Sequence, residues 1–178
     1  MVTYIALLRG INVSGHRLIK MSDLQQMFTG LGLGRVKTYI QSGNVLFESA
    51  EAAEPLSRRI EQEIKAVFGF DVPVILRTAA ELEGVVAHSP FTAGEGESLY
   101  VSFLAEEPTE EGLNRLPADT GGVDEYQVVG REIYILYRQS AHKSKLSNSF
   151  FEQRLRMPAT TRNWQTVTRL VDLSRPEA

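Results

Sequence analysis

Val36-Lys37-Thr38-Tyr39-Ile40-Gln41-Ser42-Gly43-Asn44-Val45-Leu46-Phe47-Glu48 is the stretch on which the fold turns. Val36 to Gln41 and Val45 to Glu48 read as strands, and Gly43-Asn44 suits a two-residue turn with glycine at its first central position. The expectation is a hairpin in which Ile40 and Phe47 share a face. Tyr39, Gln41, Leu46 and Glu48 then take the other, because strand side chains alternate. Upstream, Tyr4 to Ile11 is an apolar run that reads as a buried strand. Ser22 is the expected N-cap of a helix carrying Leu24, Met27, Phe28 and Leu31, with Gln25 three residues after the cap. Downstream, Leu56, Ile60, Ile64, Val67 and Phe68 recur at helical spacing between Pro55 and Gly69. Val72 to Leu76 follows as a strand, at whose start or on whose exposed edge Pro73 is tolerated. A hairpin flanked in this way gives β-α-β-β-α-β, the split βαβ order of a ferredoxin-like plait.

A third helix is expected over Ala79 to His88, and the turn-rich stretch from Ser89-Pro90 to Gly96 marks a boundary. Residues 1–90 thus form a first α/β plait plus a helix, and residues 91–178 a second plait with C-terminal helices. Tyr100-Val101-Ser102-Phe103-Leu104 repeats the character of Tyr4-Ile5-Ala6-Leu7-Leu8. Thr109 caps a short helix running to Leu116, and a second hairpin pairs Tyr126 to Val129 with Glu132 to Tyr137 around Gly130-Arg131. Helices are expected over Asn148 to Leu155 and, capped by Thr161, over Thr161 to Leu173. The fold class is therefore α+β: two tandem ferredoxin-like plaits related by a degenerate internal duplication, the second ending differently, in extra C-terminal helices.

The 178 residues hold no cysteine, which removes disulfides, thiolate metal sites and cysteine nucleophiles. No apolar run reaches membrane-spanning length and the chain opens without a secretory pattern, so a cytoplasmic location and no membrane partner are expected. A net charge of −3 conceals an asymmetry. Residues 1–80 carry nine Lys/Arg against seven Asp/Glu, residues 81–125 eleven acids against Arg115 alone, and residues 139–178 seven bases against three acids. Acids in the middle solvate a loop and a short helix, while the basic ends suit an anionic ligand.

The chemistry concentrates between Leu7 and Met21. Gly10 and Gly15 allow close backbone approach, and Arg9, His16, Arg17 and Lys20 supply charge around Asn12. Gly10 to Gly15 has Walker A spacing, but His16-Arg17 stands where Lys-Ser/Thr would hold phosphate and magnesium, so nucleotide hydrolysis is rejected. Ser140-Ala141-His142-Lys143 matches Ser-x-x-Lys without its companion motifs. His88 and His142 lack ligand spacing, so no metal is implied, and no cofactor. At the other end, Lys143 and Lys145 lie in a basic loop, and Arg162 and Asn163 open the expected last helix, whose free N–H groups attract anions.

These motifs resemble a widespread bacterial family known only as domain-of-unknown-function family sixteen-ninety-seven. The resemblance rests on Ala6 to Val13 with Gly15 and Lys20-Met21, on Thr38 to Val45, on Ser144-Lys145-Leu146, and on Thr160 to Val167. Ser14 departs from it, standing where the family usually has glycine. The resemblance implies two α/β plaits in one chain and brings no activity. Its signature positions gather in the first loop, the first hairpin turn, where Gln41, Ser42 and Asn44 join the site, and the Thr-Arg-Asn-Trp segment.

The leading functional reading is a non-catalytic binding protein for an anionic small molecule. An enzyme acting on a phosphorylated or carboxylated small molecule, with His16 as acid or base, is the second. A nucleic-acid-binding module is the third and less favoured: Tyr4, Tyr39 and Gln41 could lie on an open sheet face, but the RNA-recognition consensus is missing. The sequence leaves the oligomeric state open.

Overall fold

The computed structural model describes residues 1–176. Among them the chain is mixed α+β, with two four-stranded antiparallel sheets and six α-helices. Its elements run β1 (Val2–Leu8), α1 (Met21–Gly30), β2 (Gly34–Tyr39), β3 (Asn44–Ser49), α2 (Ala53–Phe68), β4 (Val74–Thr78), α3 (Ala79–Ala87), then β5 (Ser98–Leu104), α4 (Glu110–Asn114), β6 (Glu125–Val129), β7 (Glu132–Tyr137), α5 (Asn148–Leu155), β8 (Ala159–Asn163) and α6 (Trp164–Ser174). A single 3₁₀ turn, Ala141–Lys143, lies between β7 and α5. The chain divides into two units, one of residues 1–84 with 169–178, the other of residues 85–168.

The first sheet has the order β2-β3-β1-β4 and the second β6-β7-β5-β8, every pair antiparallel. One face of the first sheet, carrying Tyr4, Ala6, Leu8, Val45, Phe47, Val74 and Leu76, is covered by Leu24, Met27 and Phe28 of α1 and Leu56, Ile60 and Ile64 of α2. In the second unit Ile133, Ile135 and Tyr137 pack with Phe151 and Leu155 of α5. The helices form as their apolar spacing dictates; α2 ends where Gly69, at φ 81°, takes the left-handed cap that glycine accepts most readily.

Five expectations are corrected. Residues 161–163, expected to open a helix under a Thr161 cap, belong instead to β8, and the helix starts at Trp164, where Asn163 Oδ1 accepts from Thr166 N at 2.8 Å. The second half therefore does not end differently: it repeats strand-helix-strand-strand-helix-strand-helix, α5 answering α2 and α6 answering α3. The ends even share their chemistry, since Thr78 caps α3 through Glu81 N as Asn163 caps α6. Ser22 caps nothing. It lies inside α1, which begins after Lys20 with no side-chain cap.

The first hairpin turns at residues 40–43, not at Gly43-Asn44. Tyr39 pairs with Asn44, so Asn44 opens β3 and Ile40, at φ 49°, sits exposed in the loop and shares no face with Phe47. A buried amide causes this: Asn44 Nδ2 donates to Tyr39 O at 2.9 Å and Ser42 Oγ at 3.0 Å, closing a four-residue loop. Tyr4, finally, lies on no open face. It is buried under α1 and α2, stacked on Phe47 at 5.6 Å, and donates its hydroxyl to Glu51 O at 2.7 Å.

Candidate functional site

After β1 the chain enters a loop with an unusual backbone. Gly10, Asn12, Ser14, Gly15 and Arg17 all have positive φ, at 71°, 55°, 50°, 76° and 51°. Non-glycine residues rarely occupy this region, and a run of them persists only where surrounding contacts fix it. Those contacts are visible. Ile11 and Ile19 are buried and anchor the two arms; Asn12 N donates to Arg17 O at 3.1 Å and His16 N to Val13 O at 2.9 Å. Between Val13 and His16, left-handed Ser14 and Gly15 make the tight turn that positive φ at both central positions permits. Ser14 thus stands in a backbone conformation suited to glycine.

Asn12 joins this loop to the first hairpin. Its Oδ1 accepts from Ile19 N at 2.8 Å, while its Nδ2 donates to Ile19 O at 3.1 Å and to Gln41 O at 2.8 Å. Leu8 N donates to Gly43 O at 2.9 Å. At Gly43, φ 90°, a Cβ would come within 2.7 Å of Ile11 Cδ1 and 2.9 Å of Leu8 Cβ, so only glycine lets the turn press onto the end of β1. Of the residues singled out from sequence, Arg9, Gly10, Asn12, Gly15, His16, Arg17, Lys20, Gln41, Ser42 and Asn44 are therefore brought onto one joined pair of loops. They divide by role: Asn12 and buried Asn44 hold backbone, whereas His16, Lys20, Gln41 and Ser42 are exposed. Arg17 is half-buried, one guanidinium nitrogen 3.5 Å from where a Gly10 Cβ would lie. His16, Arg17 and Lys20 form no ion pair among the described residues.

Within the second unit Lys143 and Lys145 line a cavity of about 190 Å³ with Gly121, Asp124 and Ser144. Asp124 organises it. Burial pushes its carboxyl up, but the Gln139 amide, the Arg138 and Gln139 backbone N–H groups and the Ser144 hydroxyl outweigh burial and hold it below the usual carboxylate range. Arg162, by contrast, is turned inward. Burial lowers its guanidinium to about 10, still protonated at neutral pH, and it donates to Thr160 Oγ1 at 2.6 Å and Thr161 O at 3.1 Å. Asn163 is the helix cap already described.

Sequence reasoning passed over two features. Arg77 is buried on β4 opposite Ile5, just as Arg162 on β8 lies opposite Val101, so the two sheets carry a buried arginine at the same register position. Aligning Tyr4-Ile5 with Tyr100-Val101 and extending the repeat to the last strands would have revealed it. The second is a cavity of about 680 Å³ in the second unit, lined by residues from the stretch 86–100 and by Asn163, Trp164 and Gln165. Its parts are distant in sequence, and no motif announces it. Among the described residues no group of three or more His, Asp or Glu is placed to hold a metal, and no helix is long and apolar enough to cross a membrane.

Comparison with known proteins gives the following. A family model described as a protein of unknown function, DUF1697, matches residues 1–134. No curated protein matches the sequence. The solved structure of the conserved bacterial protein SP0830 from Streptococcus pneumoniae is similar over 98% of this chain and 99% of that one, with a TM-score of 0.75 at 22% identity. At that identity the likeness concerns the fold alone.

Proposed function

We propose, for a chain that belongs to the DUF1697 family of proteins of unknown function, that it is a non-catalytic binding protein whose first loop and first hairpin turn hold an anionic small molecule. One observation carries the reading: the three hydrogen bonds of Asn12, which tie a loop of left-handed residues to Gln41 O and so fix a surface bearing His16, Arg17 and Lys20. A loop locked in strained geometry is pre-organised, and pre-organisation lowers the ordering cost of binding. Arg17 and Lys20 have no acid partner among the described residues, which leaves their charge available. Val13, Leu18 and Ile40 are exposed on the same loops, so the ligand has an apolar part beside its charge. Arg162 is not part of this set, because it is buried and donates to Thr160 and Thr161 of its own strand. In our reading each unit is a ferredoxin-like plait followed by a helix, and the matched element orders and paired buried arginines reflect an internal duplication.

The test is a thermal-shift screen with inorganic phosphate, nucleotides, phosphorylated metabolites and organic acids, repeated on Arg9→Ala and Arg17→Ala. A ligand at 100 times its dissociation constant stabilises the protein by about 2.7 kcal/mol. Each substitution is expected to weaken binding by about 1.5 to 3 kcal/mol, the worth of a hydrogen bond to a charged group. Equal shifts in wild type and both variants would remove the site from this loop.

A further inference from the structure

A cavity of about 680 Å³ in the second unit shares no residue with the first loop. Its walls come from the segment after α3, the start of β5 and the β8–α6 junction, and three of them are aromatic: Phe91, Tyr100 and Trp164. We propose that this cavity binds an uncharged planar heterocycle of nucleobase or nucleoside size.

Volume sets the first limit: about 680 Å³ lies within the roughly 300 to 1,000 Å³ typical of small-molecule sites. Charge sets the second. No Lys, Arg or His lines the cavity, and its one carboxylate, Glu97, accepts from Gly94 N at 2.7 Å and from Arg138 Nε at 2.8 Å. An anion would find no cationic side chain in the lining, and a cation would compete with Arg138 for Glu97. Phe91 and Trp164 supply stacking surface, which planar rings use most fully, beside Tyr100, whose ring already meets that of Tyr137 edge-on at 5.2 Å.

The remaining polar groups fit the edge of such a ring. Asn163 Oδ1 is occupied by Thr166 N–H, leaving its amide N–H groups to donate. The Trp164 indole N–H and the Gln165 side-chain amide make no hydrogen bond among the described residues. Donors beside a free primary amide match the ring nitrogens, carbonyls and amino groups of a base, the pairing by which amide side chains and aromatics read unstacked bases. The Ser89 hydroxyl, which donates to Phe91 O at 2.8 Å and accepts from Phe91 N at 3.3 Å, serves to fix the Phe91 backbone.

Trp164 is the only tryptophan of the chain and lines the cavity, so its emission reports occupancy. The full chain is titrated with adenosine, uridine, free adenine and, as a non-aromatic control, glucose, with isothermal calorimetry in parallel. The proposal expects saturable quenching and binding heat with at least one heterocycle and none with glucose. Gln165→Ala, at an exposed position, should then weaken binding about five- to tenfold with the unfolding midpoint unchanged, the loss expected of one or two hydrogen bonds. No saturable signal by either method up to millimolar heterocycle overturns it, as does binding of glucose alone, or binding that neither Gln165→Ala nor Phe91→Ala alters. These ligands are uncharged and Arg17→Ala should leave their binding intact, so the result is independent of the anion screen.

Discussion

At the scale of single residues the first loop is governed by two side chains. Asn12→Ala removes three hydrogen bonds and leaves Ile19 N–H and two carbonyls without their side-chain partner. It is expected to cost about 2 kcal/mol in urea denaturation, with hydrogen exchange accelerated in residues 10–20 more than in β3. Ser14 sits at φ 50° and is exposed, so nothing but backbone strain attaches to it. Ser14→Gly relieves a left-handed conformation worth about 1 kcal/mol against a smaller entropic cost of glycine, and a slight rise in stability should follow. A fall by calorimetric melting would show that the hydroxyl matters. Both residues were visible as loop residues in the sequence. Their division into holder and strained link was not, because Asn12 acts on Gln41, twenty-nine positions away.

At the scale of elements the two hairpins show how far local rules reach. Gly130-Arg131 does form the expected two-residue turn between Val129 and Glu132, with Gly130 at φ 60°. The first hairpin departs from the local rule because Asn44 and Gly43 answer to tertiary contacts, the buried amide bonds and the press against Leu8 and Ile11. Asp124 performs a similar task in the second unit: lying just before β6 and accepting from Arg138 N just after β7, it staples the open end of that hairpin. Its carboxyl is held below the ordinary range, so its contribution is present above the unfolded value near pH 3.9 and is lost as pH falls through the lower folded value. Asp124→Asn should therefore lose stability at neutral pH, by about 1 to 3 kcal/mol, and flatten the acid limb of stability against pH. An unchanged acid limb would assign that sensitivity to other carboxylates.

At the scale of the whole molecule the division into units does not follow the chain simply. Residues 169–178 cluster with residues 1–84, although the helix that holds most of them starts in the other unit. Leu170 and Val171 there are 1% and 4% exposed. Truncation after Thr168 removes both, and about 1.5 to 3 kcal/mol for each buried apolar side chain gives a loss of about 3 to 6 kcal/mol. The urea midpoint should fall accordingly; a truncated chain as stable as the full one would mean that residues 1–84 need no such cover. A cut at residue 90, where the turn-rich sequence suggests one, separates the same segments.

Taken alone, the sequence determined the elements whose signals are local. Periodicity placed α2 and α5, Gly130-Arg131 placed the second turn, and the signature motifs identified the family and the loop where cations collect. Tertiary structure alone decided the register of the first hairpin, the strand at residues 159–163, the inward turn of Arg162 and the cavity beside Trp164. The reason is the same in each case: a short segment of mixed polarity takes its conformation from the partner it pairs with or packs on. For Ala159 to Asn163 that partner is β5, more than fifty residues earlier in the chain.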